Sequence, residues 1–314
     1  MLALRTDVEQ LSQAFWETCF ENSYLKCRGE AFQELFQTIM ERRYPGDFQR
    51  VVPWGRAGDL KNDGYLASRR QLFQCYGPKV LDLRATLDKV NDDYAGAVEH
   101  WAVHFDEWIF VHNGQSGLPP QVAQRLLDLT VQDPAHAARP WGFADLRNEA
   151  MQLSAVDLTV VFGDAPTIHT MLHLGFDDLQ PLIAEITLRA EAPLNPSLAE
   201  VPAEKLQANM FSQPVQEMMK SGFVRTKLVN EYFTTHPEPR HQDRIGAWFR
   251  EQYVRLRSEA TTADQVYNRM RDLVGGVGPH NARRECAVLT IVAFFFETCD
   301  IFEPHGHLPD APTN

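Results

Sequence analysis

Phe32, Leu35, Phe36 and Ile39 recur at spacings of three and four, the apolar stripe of a helix, within a segment over 7–44 that reads as helical throughout. Pro45-Gly46-Asp47 stops it. A short apolar run, Phe48 to Val52, leads into a glycine-rich turn, Gly55-Arg56-Ala57-Gly58-Asp59. Strands are predicted near Gly64-Tyr65-Leu66 and over Gln71 to Tyr76, the latter closed by Gly77-Pro78. Residues 82–101 read as a helix, Glu107 to His112 as a buried strand ended by Asn113-Gly114, and Pro119 to Leu129 as a helix with proline at its start. This order of helix, hairpin, strand, helix, strand, helix predicts a mixed sheet flanked by helices, ending near Phe162-Gly163-Asp164.

The pattern then changes. Residues 190–204 are rich in Pro and Ala without periodicity. From Lys205 onward the chain reads as helices over 206–221, 223–235, 240–258, 263–275 and 281–303, with Pro237, Pro239 and Pro279 as breakers between them. The expected organisation is a sheet domain over 1–165, a linker region over 166–204, an all-α interaction domain over 205–306 and a tail over 307–314. Phe294, Phe295 and Phe296 are consecutive and so cannot share one helix face. Their helix must be covered on several sides, inside a bundle or against a partner.

Composition narrows the class. The chain has 314 residues, 44% hydrophobic and 23% charged, which is the balance of a folded globular protein. Its longest uncharged apolar run, Cys286 to Phe296, is 11 residues, against about 20 for a bilayer span. The first ten residues, MLALRTDVEQ, lack the basic start and apolar core of a signal peptide. Cys19, Cys27, Cys75, Cys286 and Cys299 form no Cys-x-x-Cys pair, which suits a reducing cytoplasm, and the expected location is cytoplasmic, with no membrane association. A net charge of −12 argues against a protein that coats nucleic acid, but the charge is uneven. Residues 40–90 carry ten lysines and arginines against six acids, whereas residues 91–205 carry five against seventeen. The early basic stretch reads either as a phosphate-facing surface or as a solvated face without a partner.

The candidate chemistry sits in that basic stretch. Gly55-x-x-Gly58-Asp59-x-x-x-Asp63-Gly64 is followed by Phe73-Gln74-Cys75-Tyr76. Two acids on a hairpin and an amide on the adjoining strand converge at one sheet edge, and strand alternation puts Gln74 and Tyr76 on one face. Carboxylates and a carbonyl oxygen are hard ligands suited to Mg2+ or Mn2+, and such an ion polarises a phosphodiester and activates water. Asn62-Asp63-Gly64 also reads as a plain hairpin turn. Glu30 and Glu34 on the preceding helix read either as a further acid or as a solvated face.

Gly29-x-x-Phe32, Gly58-Asp59-x-x-x-Asp63-Gly64 and Phe73-Gln74-Cys75 together resemble the Mrr-like branch of the PD-(D/E)xK restriction-endonuclease superfamily, over roughly residues 25–130. The resemblance implies a restriction-endonuclease-like α/β fold, with Asp63 as the principal metal-binding acid, Gln74 as the second polar ligand and Asp59 beside them. The chain departs from the pattern twice, with Tyr76 where the family has lysine and Gln33 where it has glutamate after the phenylalanine. Lys61, or else Lys79, is then the nearby source of a cation for the phosphate, and the Tyr76 phenol a group that orients water or phosphate.

A second resemblance rests on Phe110-Val111-His112-Asn113 with Gly117-Leu118-Pro119, and on the run from Phe294 to Glu303. Both look like proteins of bacterial ABC-three-component conflict systems. There an effector-type chain with a helical C-terminal domain is encoded beside an ABC-type ATPase and a small middle component. This implies antiphage or anti-plasmid defence, partner subunits that include the ATPase, nucleic acid as substrate, and room for oligomerisation. The leading expectation is a metal-dependent nuclease effector. Its rival is a catalytically inactive nuclease-like scaffold that binds the ATPase or nucleic acid, and a third reading is an enzyme acting on a small nucleotide.

Three other features read as ordinary. Gly275-Gly276-Val277-Gly278 lacks the Gly-Lys-Ser/Thr ending of a P-loop. His100 and His104 share a helix face, but Trp101 stands where a zinc helix would have glutamate. Cys299, His305 and His307 are too few for a structural zinc site.

Overall fold

The computed structural model describes residues 2–51, 60–190, 210–260, 262–275 and 281–298, with backbone alone for residues 2–9. The chain forms two compact units. One comprises Cys19–Phe162, the other Met1–Thr18 with Gly163–Asn314.

The first unit is built on a mixed five-stranded sheet in the order β1-β2-β3-β4-β5. Its strands are β1 (Phe48–Arg50), β2 (Gly64–Leu66), β3 (Gln71–Tyr76), β4 (Glu107–His112) and β5 (Ala137–Trp141). The first three pair antiparallel, while β3, β4 and β5 run parallel. The parallel steps need crossovers, and helices supply them. α3 (Leu83–Trp101) joins β3 to β4, and α4 (Pro120–Gln132) joins β4 to β5. α2 (Glu30–Arg43) precedes β1, and α5 (Phe143–Ala150) and α6 (Ala155–Phe162) follow β5. A mixed sheet flanked by helices is what the sequence pattern predicts.

Both sheet faces are covered. On one, Phe32, Phe36, Ile39 and Met40 of α2 pack with Phe73 of β3 and Ile109 and Val111 of β4. On the other, Val90, Tyr94 and Ala97 of α3 and Val122 and Leu126 of α4 pack with Leu72, Trp108 and Phe110. The alternation of Trp108 and Phe110 against Ile109 and Val111 explains why β4 reads as a nearly continuous apolar run.

The stretch over 7–44 divides into α1 (Leu2–Lys26) and α2. The break is at Gly29, which takes φ +53° and donates its N–H to Gly77 O at 2.6 Å. Only glycine adopts that backbone without strain. β5 is absent from the pattern because Ala-Ala-Arg-Pro-Trp shows no alternation. As an edge strand it tolerates Pro140.

His112 closes β4 in a buried position, its Nδ1 accepting from Gly114 N at 3.2 Å and its carbonyl from the Tyr24 hydroxyl at 2.6 Å. Burial holds its pKa down at about 4 from an ordinary 6.5, against a small upward pull from Asp145. The folded chain therefore resists a proton that the unfolded chain accepts. The stabilisation is complete above about pH 6.5 and is lost as pH falls towards 4, on the order of 3 kcal/mol in all. Urea titrations from pH 7 to pH 4 are expected to show this loss, and His112→Gln is expected to flatten it.

The second unit is helical. It holds α7 (Ile168–Leu172), α8 (Phe176–Arg189), α9 (Gln213–Phe223), α10 (Thr226–Thr235), α11 (His241–Glu259), α12 (Ala263–Gly275) and α13 (Ala282–Thr298). The linker expected over 166–204 is thus replaced up to Arg189 by two helices. Leu179, Leu182, Ile183 and Ile186 are fully buried at helical spacing, an apolar stripe that the surrounding Pro and Ala content hides. Residues 191–209 lie outside the described residues, as does the expected tail over 307–314.

The expected 1–165 boundary also differs from the observed units, because Met1–Thr18 groups with the helical unit. Leu11, Ala14 and Phe15 are buried there, and Trp16 Nε1 donates to Gly163 O at 3.1 Å.

α13 is the central element of this unit, buried continuously from Glu285 to Phe296. Phe294 stacks on Phe233, Phe295 on Phe249, and Phe296 meets Phe211 and Phe223. The three phenylalanines are therefore used within their own unit. α9 crosses α13 at Gly222, where a Cβ would strike Leu289 O and Ala293 Cβ. Gly222→Val is expected to cost about 3 kcal/mol in a denaturant titration, through forced separation of the two helices. No helix among the described residues is long and apolar enough to cross a membrane.

Candidate functional site

Asp63 lies just before β2 and is tied by its backbone to β3 and by its carbonyl to α2. Its N–H donates to Phe73 O at 2.8 Å, and its carbonyl accepts from Gln37 Nε2 of α2 at 2.7 Å. Asn62 shapes the entry, its Oδ1 accepting from Gly64 N at 2.8 Å, the side-chain-to-backbone bond of an Asx turn. The turn reading thus holds at Asn62-Asp63-Gly64. The turn aims the Asp63 carboxylate inward, where Oδ2 accepts from Gln74 Nε2 at 2.8 Å and from Cys75 N at 2.7 Å.

Asp63 and Gln74 are 3% and 4% exposed, so these bonds are made in a largely dry setting. Gln74 spends its N–H on Asp63, and its Oε1 is buried without a hydrogen-bond partner. Asn62 Nδ2 is in the same condition. A buried orphan oxygen costs about 1–3 kcal/mol, and a cation or a water that meets it recovers that cost. The Cys75 thiol is pushed well above its ordinary pKa, first by burial and then by the Asp63 charge, with Lys89 pulling the other way. It is therefore neither a nucleophile nor a ready metal ligand.

Lys61, another sequence candidate, is held from α3. Asp93 is fully buried, and Lys61 Nζ lies 3.0 Å from its Oδ1 while Lys89 Nζ lies 2.5 Å from its Oδ2. The lysine side chains remain 44% and 35% exposed, so one buried carboxylate fixes two ammonium groups that still face solvent. Leu60 and Lys61 both take left-handed backbone, φ +53° and +62°, which costs each residue of order 1 kcal/mol. Two contacts hold them there. Trp101 Nε1 donates to Leu60 O at 3.1 Å, and the Lys61 stem lies so close to Gly96 that a Cβ there would sit 2.5 Å from Cγ.

Among the sequence candidates, Asp63 and Gln74 are in direct contact, and Lys61 is anchored by Asp93 together with Lys89. Tyr76 shares the α3-facing side of β3, as alternation predicts, but its ring packs on Phe110 at 5.7 Å. Glu34 is drawn to Arg50 at 2.6 Å, which holds its carboxyl below the ordinary value. Glu30 is exposed, and Lys79 is exposed in the turn after β3. Asp59 and the glycines at 55 and 58 lie outside the described residues, as do the glycines at 276 and 278, Cys299, His305 and His307. Lys89 and Asp93 are the additions that the sequence reading misses. Their one local signal is the four-residue spacing of a lysine and an acid on one helix face, which is common on solvated helices.

Neither a curated protein nor a solved structure matches the chain. A match exists for the helical region alone, beginning within α8 and running past the end of α13. Residues 177–303 are similar to C-terminal domain 10 of the ABC-three component (ABC-3C) systems, whose family model they match.

Proposed function

We propose that the chain is a cytoplasmic, metal-dependent nuclease effector of a bacterial ABC-three-component defence system. Its sheet unit hydrolyses phosphodiester bonds, and its helical region engages an ABC-type ATPase or another subunit of the system. The observation that carries the reading is the contact of Asp63 with Gln74 beside an orphan buried Gln74 oxygen. The match of residues 177–303 supports the system assignment.

The donor set fits Mg2+ or Mn2+, because a carboxylate and an amide carbonyl are hard oxygen ligands. Asp63 and Gln74 would hold the ion, with Asp59 as the third expected ligand. Bound there, the ion supplies polarisation of the phosphodiester and a lowered pKa for water. Asp63 brings negative charge and orients the Gln74 amide through its N–H. Lys61 and Lys89, fixed on Asp93, stabilise negative charge that builds on the phosphate. Two ammoniums delivered by the β2 approach and by α3 offset the missing lysine at position 76.

One observation favours the rival, an inactive nuclease-like adaptor. Asp63 Oδ2 already takes two hydrogen bonds and the side chain is almost completely buried.

The purified chain, alone and with its co-encoded ATPase, is to be incubated with DNA and with RNA in Mg2+ or Mn2+. Cleavage that is stopped by a chelator and by Asp63→Ala, and kept by the surface variant Val254→Ser, is the expected result. Absence of cleavage in every combination, with phage protection intact in Asp63→Ala, would overturn the nuclease and leave the adaptor.

A further inference from the structure

The link between α10 and α11 reads His236-Pro237-Glu238-Pro239-Arg240-His241. The two prolines stiffen it by fixing φ, and His236 takes the extended backbone favoured before proline. The link closes on itself through His241 N donating to Glu238 O at 3.2 Å. As a result His236, Glu238 and His241 present ligand atoms that all lie within 4.8 Å of one another. Spacings of two and three residues thus bring two imidazoles and a carboxylate together, a donor set that zinc favours.

The hydrogen bonds set the tautomers. Thr187 of α8 donates its hydroxyl to Ile183 O at 2.7 Å, so its oxygen accepts from His241 Nε2–H at 3.4 Å. The His241 lone pair is therefore at Nδ1, where it accepts from Arg244 Nη2 at 3.0 Å. His236 Nδ1 likewise accepts, from Glu238 N at 3.2 Å. His241 is 4% exposed. A neutral imidazole whose other nitrogen is engaged by a hydroxyl is in the form that binds metal.

A positive charge already occupies the focus of this cluster. Arg244 Nη2 lies 3.0 Å from Glu238 Oε2 and 3.0 Å from His241 Nδ1, and those two acceptors are 3.4 Å apart. That acceptor separation is the one expected of two ligands on a tetrahedral ion with bonds of about 2.0–2.1 Å.

We infer that His236, Glu238 and His241 form a binding site for one zinc-class divalent ion, which displaces Arg244 from Glu238 and His241. The imidazoles now stack at 4.0 Å with planes 11° apart. Lone pairs in parallel planes do not converge on one atom, so binding turns the His236 ring out of the stack. The ion ties the α10–α11 link to the buried end of α11, and a water completes its coordination.

The test is a titration of the full chain with Zn2+ in competition with a chromogenic chelator. One equivalent is expected to bind. His236→Gln and Glu238→Gln, both at partly exposed positions that leave the fold intact by circular dichroism, are each expected to weaken binding about 100-fold. Arg244→Gln is expected to tighten it about tenfold, because the competing guanidinium is gone. His305→Gln/His307→Gln is expected to bind as the wild type does. No equivalent bound by the wild type, wild-type affinity in the His236 and Glu238 variants, or weaker binding in Arg244→Gln would each overturn the site.

Discussion

Asp63→Asn is expected to lower cleavage by a factor of about 1,000 or more while leaving the fold in place. The asparagine Oδ1 still accepts from Gln74 and from Cys75 N, so the β2–β3 step is retained and the stability change is on the order of 1 kcal/mol. On the proposed nuclease reading, what is lost is the charge that would hold the divalent ion, worth several kcal/mol of transition-state stabilisation, at about 1.4 kcal/mol per factor of ten. Gln74→Ala is expected to abolish phage protection and leave the protein folded. Gln74→Glu separates the two readings of the site. It sets a second buried carboxylate against Asp63, which destabilises the metal-free chain by like-charge repulsion. If the site binds a divalent ion, millimolar Mg2+ restores the melting temperature of Gln74→Glu and barely moves that of the wild type. A Gln74→Glu melting temperature insensitive to Mg2+ and Mn2+ would count against a metal site there.

The second large effect concerns Asp93. Asp93→Asn removes the buried charge that pairs with Lys61 and Lys89. Breaking a buried pair costs about 3–5 kcal/mol when the stranded charge stays buried. Both lysines are more than one-third exposed and regain water, so about 2 kcal/mol is the expected loss. With their anchor gone the ammoniums are no longer positioned, and cleavage is expected to fall about 100-fold with nucleic-acid binding weakened. Lys89→Met isolates the α3 contribution, and Gly96→Ala displaces Lys61 alone by filling the space its stem occupies. Kinetics of the three variants, read beside their urea midpoints, distinguish lost positioning from lost stability. Equal cleavage by Lys89→Met and the wild type would remove Lys89 from the site.

Much of this site is legible in the chain. Asp63 and Gln74 are eleven positions apart on either side of a tight connection between two strands, and strand pairing brings them together. That inference needs only the hairpin. The anchor of the cation is not legible in the same way, because Asp93 lies 32 residues beyond Lys61 on a helix whose approach to the β2 turn no local pattern encodes. The left-handed backbone at Leu60 and Lys61 is equally hidden, since neither residue type favours it. The helix over Phe176–Arg189 shows the opposite failure, a local apolar stripe masked by the Pro and Ala content that follows it.

The sequence by itself determined the mixed sheet with helices on both faces, through the period-two and period-3.6 placement of apolar residues. It likewise determined that α13 is covered on several sides, because three adjacent phenylalanines cannot share a face. Only the tertiary structure decided which charges meet, as with Asp93 between two lysines and Arg244 between Glu238 and His241. It also decided that Met1–Thr18 groups with the helical unit. The reason is physical. Periodicity reports which side of an element is dry, whereas the pairing of charges depends on the packing of elements distant in the chain.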